Sequence, residues 1–200
     1  MSAESGINSV VTVPSGVGSA VGVSESKWFV AVVRNNTEKS SMDRLLKLGY
    51  DCYVPIQKEK RIWRNGRRAL IDRVVIPTLL FVHCTEAVRR EIVSLPFIIR
   101  FMTNLAGSSP EGLNKPLAII PDSQIKTLQF MVGNSDTPVS FTASTYKKGD
   151  KVRVIRGNLK GLEGEVRLID DRQSELFVLI DFLGSATLTI DTIDVELIKD

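Results

Sequence analysis

The sequence predicts an α+β protein of two domains, an antiparallel sheet with packed helices followed by a small antiparallel β-barrel. Three observations carry that expectation. Strand-like and helix-like apolar patterns alternate over residues 26–132. Gly133 to Thr145 collects Gly, Asn, Ser, Asp, Thr and Pro with only two large apolar residues, so 133–146 is assigned as a linker. From 147 to 200 short apolar alternations recur between glycines and acids, the rhythm of a small barrel that closes its own edges.

Residues 1–25 are small and polar with isolated valines and no aromatic residue, which predicts a disordered tail. Lys27 to Arg34 then places a run of β-favouring or small residues between two charges, as in a central strand apolar on both faces. Asn35-Asn36-Thr37 offers N-cap chemistry, and Met42, Leu45, Leu46 and Leu48 follow at helical spacing until Gly49 stops the helix. Cys52 to Ile56 reads as a strand that continues into a basic hairpin. Asn65-Gly66 marks its turn, predicted as type I′ with both residues at positive φ.

The returning arm holds Ala69-Leu70-Ile71. Val74 to His83 follows, and Pro77 marks a bulge or a fresh strand because it cannot donate to a ladder. Thr85 caps a short helix through Leu95, Ile98 to Met102 is strand-like, and a loop with Gly107, Pro110 and Gly112 leads to Ile119-Ile120. Pro121 opens a last helix bearing Ile125, Leu128, Phe130 and Met131. Barrel strands are expected at Val152/Val154, Val166/Leu168, Leu176–Ile180 and Thr187–Ile190.

A content of 43% hydrophobic and 24% charged residues excludes a wholly disordered chain, and no apolar run reaches the roughly 20 residues of a membrane span. No basic leader precedes an apolar stretch near the start, so a cytoplasmic protein without membrane contact is expected. Cys52 and Cys84 lack metal-ligand spacing and read as reduced core residues, leaving no metal or cofactor to expect. Residues 27–132 carry a net charge of +8 and residues 133–200 a net charge of −3, which predicts different partners for the two domains.

Catalysis needs a convergent nucleophile, base and orienting group. The single histidine, His83, adjoins Cys84, but neighbours in a strand face opposite ways and cannot form a nucleophile–base pair, so no enzyme is expected. Gly157-Asn158-Leu159-Lys160-Gly161 superficially resembles a phosphate loop, yet no helix follows it. Gly157, Gly161 and Gly164 instead read as turn residues between barrel strands. The basic hairpin, with Arg64, Arg67 and Arg68 beside Trp63, could follow a phosphate backbone while the indole stacks on an unpaired base.

Lys27-Trp28-Phe29-Val30, Tyr53-Val54-Pro55, the basic hairpin, Ile76-Pro77 followed by Leu80-Phe81-Val82, and Ile120-Pro121-Asp122 resemble the N-terminal (NGN) domain of NusG-like transcription elongation factors. Gly149-Asp150-Lys151-Val152 through Gly164-Glu165-Val166 resembles a KOW motif, an SH3-like barrel. This resemblance implies a non-enzymatic monomer that binds the β′ clamp helices of RNA polymerase through an apolar surface at Val32, Ile76, Pro77, Leu79 and Phe101. It also implies contact of Arg34, Thr37 and Arg44 with non-template DNA or nascent RNA. The barrel would bind a small-subunit ribosomal protein or Rho through Phe182 and Leu183. General NusG proteins have Phe-Pro-Gly-Tyr where this chain has Ile76-Pro77-Thr78-Leu79. That spacing is more like the UpxY antiterminators of capsular polysaccharide operons, and implies suppression of pausing and termination there. A KOW-containing ribosome-associated RNA-binding protein is the alternative, disfavoured by the acidic barrel.

Overall fold

A computed structural model of the chain describes residues 25–104, 116–142, 149–169, 172–181 and 183–198. The tail expected over 1–25 lies outside them except for its last residue, as do the loop glycines 107 and 112. The first sheet is built on β1 (Lys27–Val32), paired antiparallel with β5 (Leu79–Cys84), which in turn pairs with β2 (Asp51–Tyr53). The other side of β1 is shared by β6 (Arg100–Phe101) and β7 (Ile119–Ile120) at its two ends.

Because strand residues alternate, the sheet has two apolar faces. Phe29, Ala31, Val33, Leu80 and Val82 lie on one face, in a cluster with Leu45 of α1 (Glu38–Lys47) and Ile92 of α2 (Glu86–Ile92). Trp28, Val30 and Phe81 lie on the other, with Ile125, Leu128 and Met131 of α3 (Asp122–Asn134). Fully burying each large aliphatic side chain stabilises by about 1.5–3 kcal/mol, so this double burial specifies the register of β1.

The expected strand Cys52–Ile56 divides at Val54-Pro55. β3 (Ile56–Ile62) leaves the sheet there and pairs only with β4 (Arg68–Val74) as a separate ribbon. Its turn is not type I′, since Gly66 has φ 76° while Asn65 does not enter the positive range. The Gly66 amide instead donates to Trp63 O, and the Trp63 amide donates to Arg67 O, making a three-residue loop. α2 ends at Ile92 rather than Leu95, and the chain tightens there, with the Ser94 and Leu95 amides donating to Glu91 O and Ile92 O.

The second sheet has the order β13-β9-β10-β11-β12-β8. Its members are β8 (Ser140–Thr142), β9 (Asp150–Val154), β10 (Glu163–Leu168), β11 (Gln173–Ile180), β12 (Gly184–Asp191) and β13 (Val195–Leu197). All pairs are antiparallel, so the architecture is mixed α and β, with three helices among the described residues. Val152, Val154, Leu176, Val178, Ile180 and Leu188 form its interior.

Within the stretch assigned as a linker, part of residues 133–142 is regular secondary structure, and 143–146 lie outside the described residues. Gly133 and Asn134 finish α3, and β8 pairs with β12 through Phe141↔Ala186. The pattern Val139-Ser140-Phe141 is a three-residue strand alternation too short to stand out among turn-forming neighbours. Gln57 on β3, 6% exposed, holds this segment from the other side. Its Nε2 donates to Thr137 O at 2.9 Å and its Oε1 accepts from the Val139 amide at 2.8 Å, as a neighbouring strand would.

Candidate docking and nucleic-acid surfaces

The turn before β5 is fixed by its backbone. Thr78 has φ 65°, a conformation costly for a β-branched residue. Its amide donates to Glu38 Oε1 at 2.7 Å, and its carbonyl accepts from the Val33 amide at 2.9 Å. Pro77 is exposed at the outside of this turn, and the fresh strand begins at Leu79.

The five candidate apolar residues do not form one surface. Ile76, 4% exposed, sits in the core under α3, and Phe101, 5% exposed, points to the opposite side of the sheet. Phe101 pairs with Ala31, shares its face, and packs edge-on to Phe29 at 6.3 Å. Val32 and Leu79 are directly paired and half-buried, so their side chains share the α3 face. Half-buried Tyr53 and Met102 lie on this face too, with Tyr53 stacked on Phe81 at 6.1 Å. Burial raises the Tyr53 hydroxyl well above its ordinary range, so it stays protonated. Neither Tyr53 nor Met102 is among the apolar surface residues that the resemblance implies. The available signal was parity, because Met102 follows Phe101 and must face the other way.

The candidate cations near α1 lie before its start and in its last turn. Arg34 is exposed, and Thr37 Oγ1 donates to Arg34 O at 2.7 Å instead of capping the helix. Arg44 lies farther along α1 with its guanidinium 5.4 Å from the Phe97 ring centre. Lys39 Nζ donates to Asp72 O at 2.7 Å, so the basic ribbon springs from beside this helix. At the ribbon base Arg73 Nη2 donates to Val139 O at 2.7 Å. Arg73 Nε lies 2.6 Å from Glu59 Oε2, although its N–H does not point along that line. Arg64, Arg67 and Arg68 are all exposed near the tip, where the Arg67 guanidinium stands 5.9 Å from the Trp63 ring centre.

In the barrel, Gly157 (φ 75°) and Gly161 (φ 90°) occupy the expected turn. Gly164 does not. It lies inside β10, where an added Cβ would come 2.5 Å from Phe177 O, so close strand packing is its reason. Leu183 is 7% exposed and belongs to the core, because its amide closes a tight turn onto Ile180 O; Phe182 lies outside the described residues. The Asp181 amide in the same turn donates to Gln124 Oε1 of α3 at 2.8 Å. A cavity of about 820 Å³ lies between α3 and the barrel, lined by Gln124, Thr127, Lys151, Phe177 and Leu179 among others.

His83 stacks on Trp28 with ring centres 4.9 Å apart and places Nδ1 3.2 Å from Asp51 Oδ2, while Cys84 belongs to the cluster on the other face. Among the described residues no group of three or more His, Cys, Asp and Glu side chains could hold a metal ion, and no helix is long and apolar enough to cross a membrane.

Residues 26–129 match the family described as transcription termination factor nusG. The chain belongs to the NusG family. Residues 148–181 additionally match the KOW motif. The chain is 23% identical over 144 residues to the transcription termination/antitermination protein NusG of Borreliella burgdorferi, covering 68% of this chain and 74% of that protein. It is 20% identical over 140 residues to the protein of that description from Thermus thermophilus, covering 69% and 74%. A solved structure described as "Domain interaction in Thermotoga maritima NusG" is 17% identical, covers 88% of this chain and 98% of that one, and has a TM-score of 0.49. NusG-family proteins are transcription factors rather than enzymes.

Proposed function

We propose that this NusG-family chain is a specialised elongation and antitermination factor that rides on RNA polymerase and suppresses pausing and termination. The observation that carries the reading is the apolar edge made by exposed Pro77 with half-buried Val32, Leu79, Tyr53 and Met102. Such an edge suits the β′ clamp helices of the polymerase, because half-buried apolar side chains gain further burial at little ordering cost. Ile76 belongs to the core cluster behind that edge, whereas Phe101 belongs to the other face of the sheet.

Arg34 and Thr37 just before α1, Arg44 on it, and the arginines of the ribbon that Lys39 ties to this helix suit non-template DNA or nascent RNA beside the polymerase. Leu79 in place of an aromatic residue, with Thr78 in place of glycine, supports a UpxY-type role in long polysaccharide operons. The barrel recruits a protein such as a small-subunit ribosomal protein or Rho. With Leu183 buried, exposed Leu179 is the better contact on that hairpin.

Transcription by purified polymerase across a pause site and a terminator tests the function. Added protein should shorten the pause and raise read-through, and Leu79→Glu should abolish both effects. No change in either quantity with saturating protein would refute the reading.

A further inference from the structure

The β3–β4 ribbon carries charge that the rest of the molecule does not use. Its two acids are both engaged near its base, Glu59 with Arg73 and Asp72 with Lys39. Among the described residues, no ion pair or hydrogen bond engages the side chains of Lys58, Lys60, Arg61, Arg64 or Arg68. A cationic ribbon balanced only at its root repels itself, which a purely structural hairpin would avoid by pairing charges across its strands.

The apolar side chains sharpen what this charge is for. Ile62 is 64% exposed, Leu70 57% and Trp63 38%. The register pairs Ile62 with Arg68 and Leu70 with Lys60, so these two exposed apolar residues each stand directly opposite a cation. Trp63 precedes the turn with the Arg67 guanidinium over its ring. In a duplex the base faces are stacked away and only phosphates and groove edges remain, so exposed indole and aliphatic groups would meet water or phosphate. An unpaired strand offers both kinds of partner at once, phosphates for the cations and base faces for the indole.

We infer that the ribbon tip is a single-strand nucleic-acid clamp, with Trp63 the stacking platform and Lys60, Arg64 and Arg68 the phosphate contacts. It binds without reading sequence, since stacking accepts every base. This rests on the polymerase-associated reading, because a transcribing polymerase keeps an unpaired DNA strand and a nascent RNA within reach, but the clamp is testable without polymerase.

The experiment measures binding of the full chain to labelled single-stranded DNA, single-stranded RNA and matched duplex over a range of salt. The single strands should bind about tenfold more tightly than the duplex, and Trp63→Ala should remove about tenfold of single-strand affinity without changing the salt slope. Trp63→Phe should recover most of the loss. Arg68→Ala should instead reduce the salt slope by about one. Equal affinity for duplex and single strand, or unchanged affinity in a Trp63→Ala protein with wild-type melting, would overturn the clamp. Polymerase binding of the Trp63→Ala protein is measured separately. Retention there with loss of single-strand binding supports the clamp, whereas polymerase failing to bind any form removes the proposed function and leaves the strand-binding result standing.

Discussion

Glu38, at the first turn of α1, reaches across to accept the Thr78 amide at 2.7 Å and is 3% exposed while doing so. One carboxylate thus fixes the turn before β5 to α1, the helix that carries Arg44. It also satisfies an amide that the positive φ of Thr78 turns away from the strand ladder.

Removing that carboxylate should loosen the turn. Glu38→Ala is expected to cost about 1–3 kcal/mol in urea denaturation, because a buried amide loses its partner. Glu38→Gln keeps an acceptor and should lose less. Thr78→Gly should be neutral or stabilising by up to about 1 kcal/mol, since it relieves left-handed strain while adding chain entropy.

Gln57 links the ribbon base to the segment that leads into the barrel. Gln57→Ala leaves the Val139 amide and Thr137 carbonyl without that partner, and should cost about 2 kcal/mol. The amide resonances of Thr137, Val139 and Asp181 should shift together in that variant, because the β11–β12 turn is docked on α3 beyond the same segment. Shifts confined to Thr137 and Val139 would show that the barrel contact stands independently.

Stability should fall at alkaline pH. Burial, with Asp51 and Asp43 adding to it, pushes the Cys52 thiol up to about 11, and burial pushes Cys84 up to about 11 against the opposing effect of Arg89. Both folded values exceed the unfolded value of about 8.5, so the unfolded state releases these protons first. Their stabilisation is fully present below about pH 8.5 and is lost as pH rises toward 11. Urea midpoints from pH 8 to 10.5 should decline, and the Cys52→Ala/Cys84→Ala protein should decline less steeply.

Much of the fold was legible because long alternations and glycine stops are local signals. β1, α1 with Gly49 after it, and α3 after Pro121 all follow patterns visible in ten residues or fewer. The misplaced site residues depended on nonlocal facts. The face occupied by Phe101 follows from its pairing with Ala31, about seventy residues away in the chain. The β8 strand exists because β12 and Gln57 hold it from two sides, and three residues of alternation cannot announce that. Gly164 looked like a turn glycine because the spacing was right, whereas its cause is the approach of Phe177 O from the next strand. Leu183 was placed outside by resemblance and inside by the tight turn onto Ile180.

The most direct test is retention of purified RNA polymerase by the immobilised full chain. Pro77→Glu and Leu79→Glu each place a charge on the apolar edge, at an exposed and a half-buried position, and each should reduce retention at least about tenfold with melting close to wild type. The Trp63→Ala protein should retain the enzyme normally. Absence of retention by the unaltered chain, or retention that survives both charged substitutions, would contradict the account.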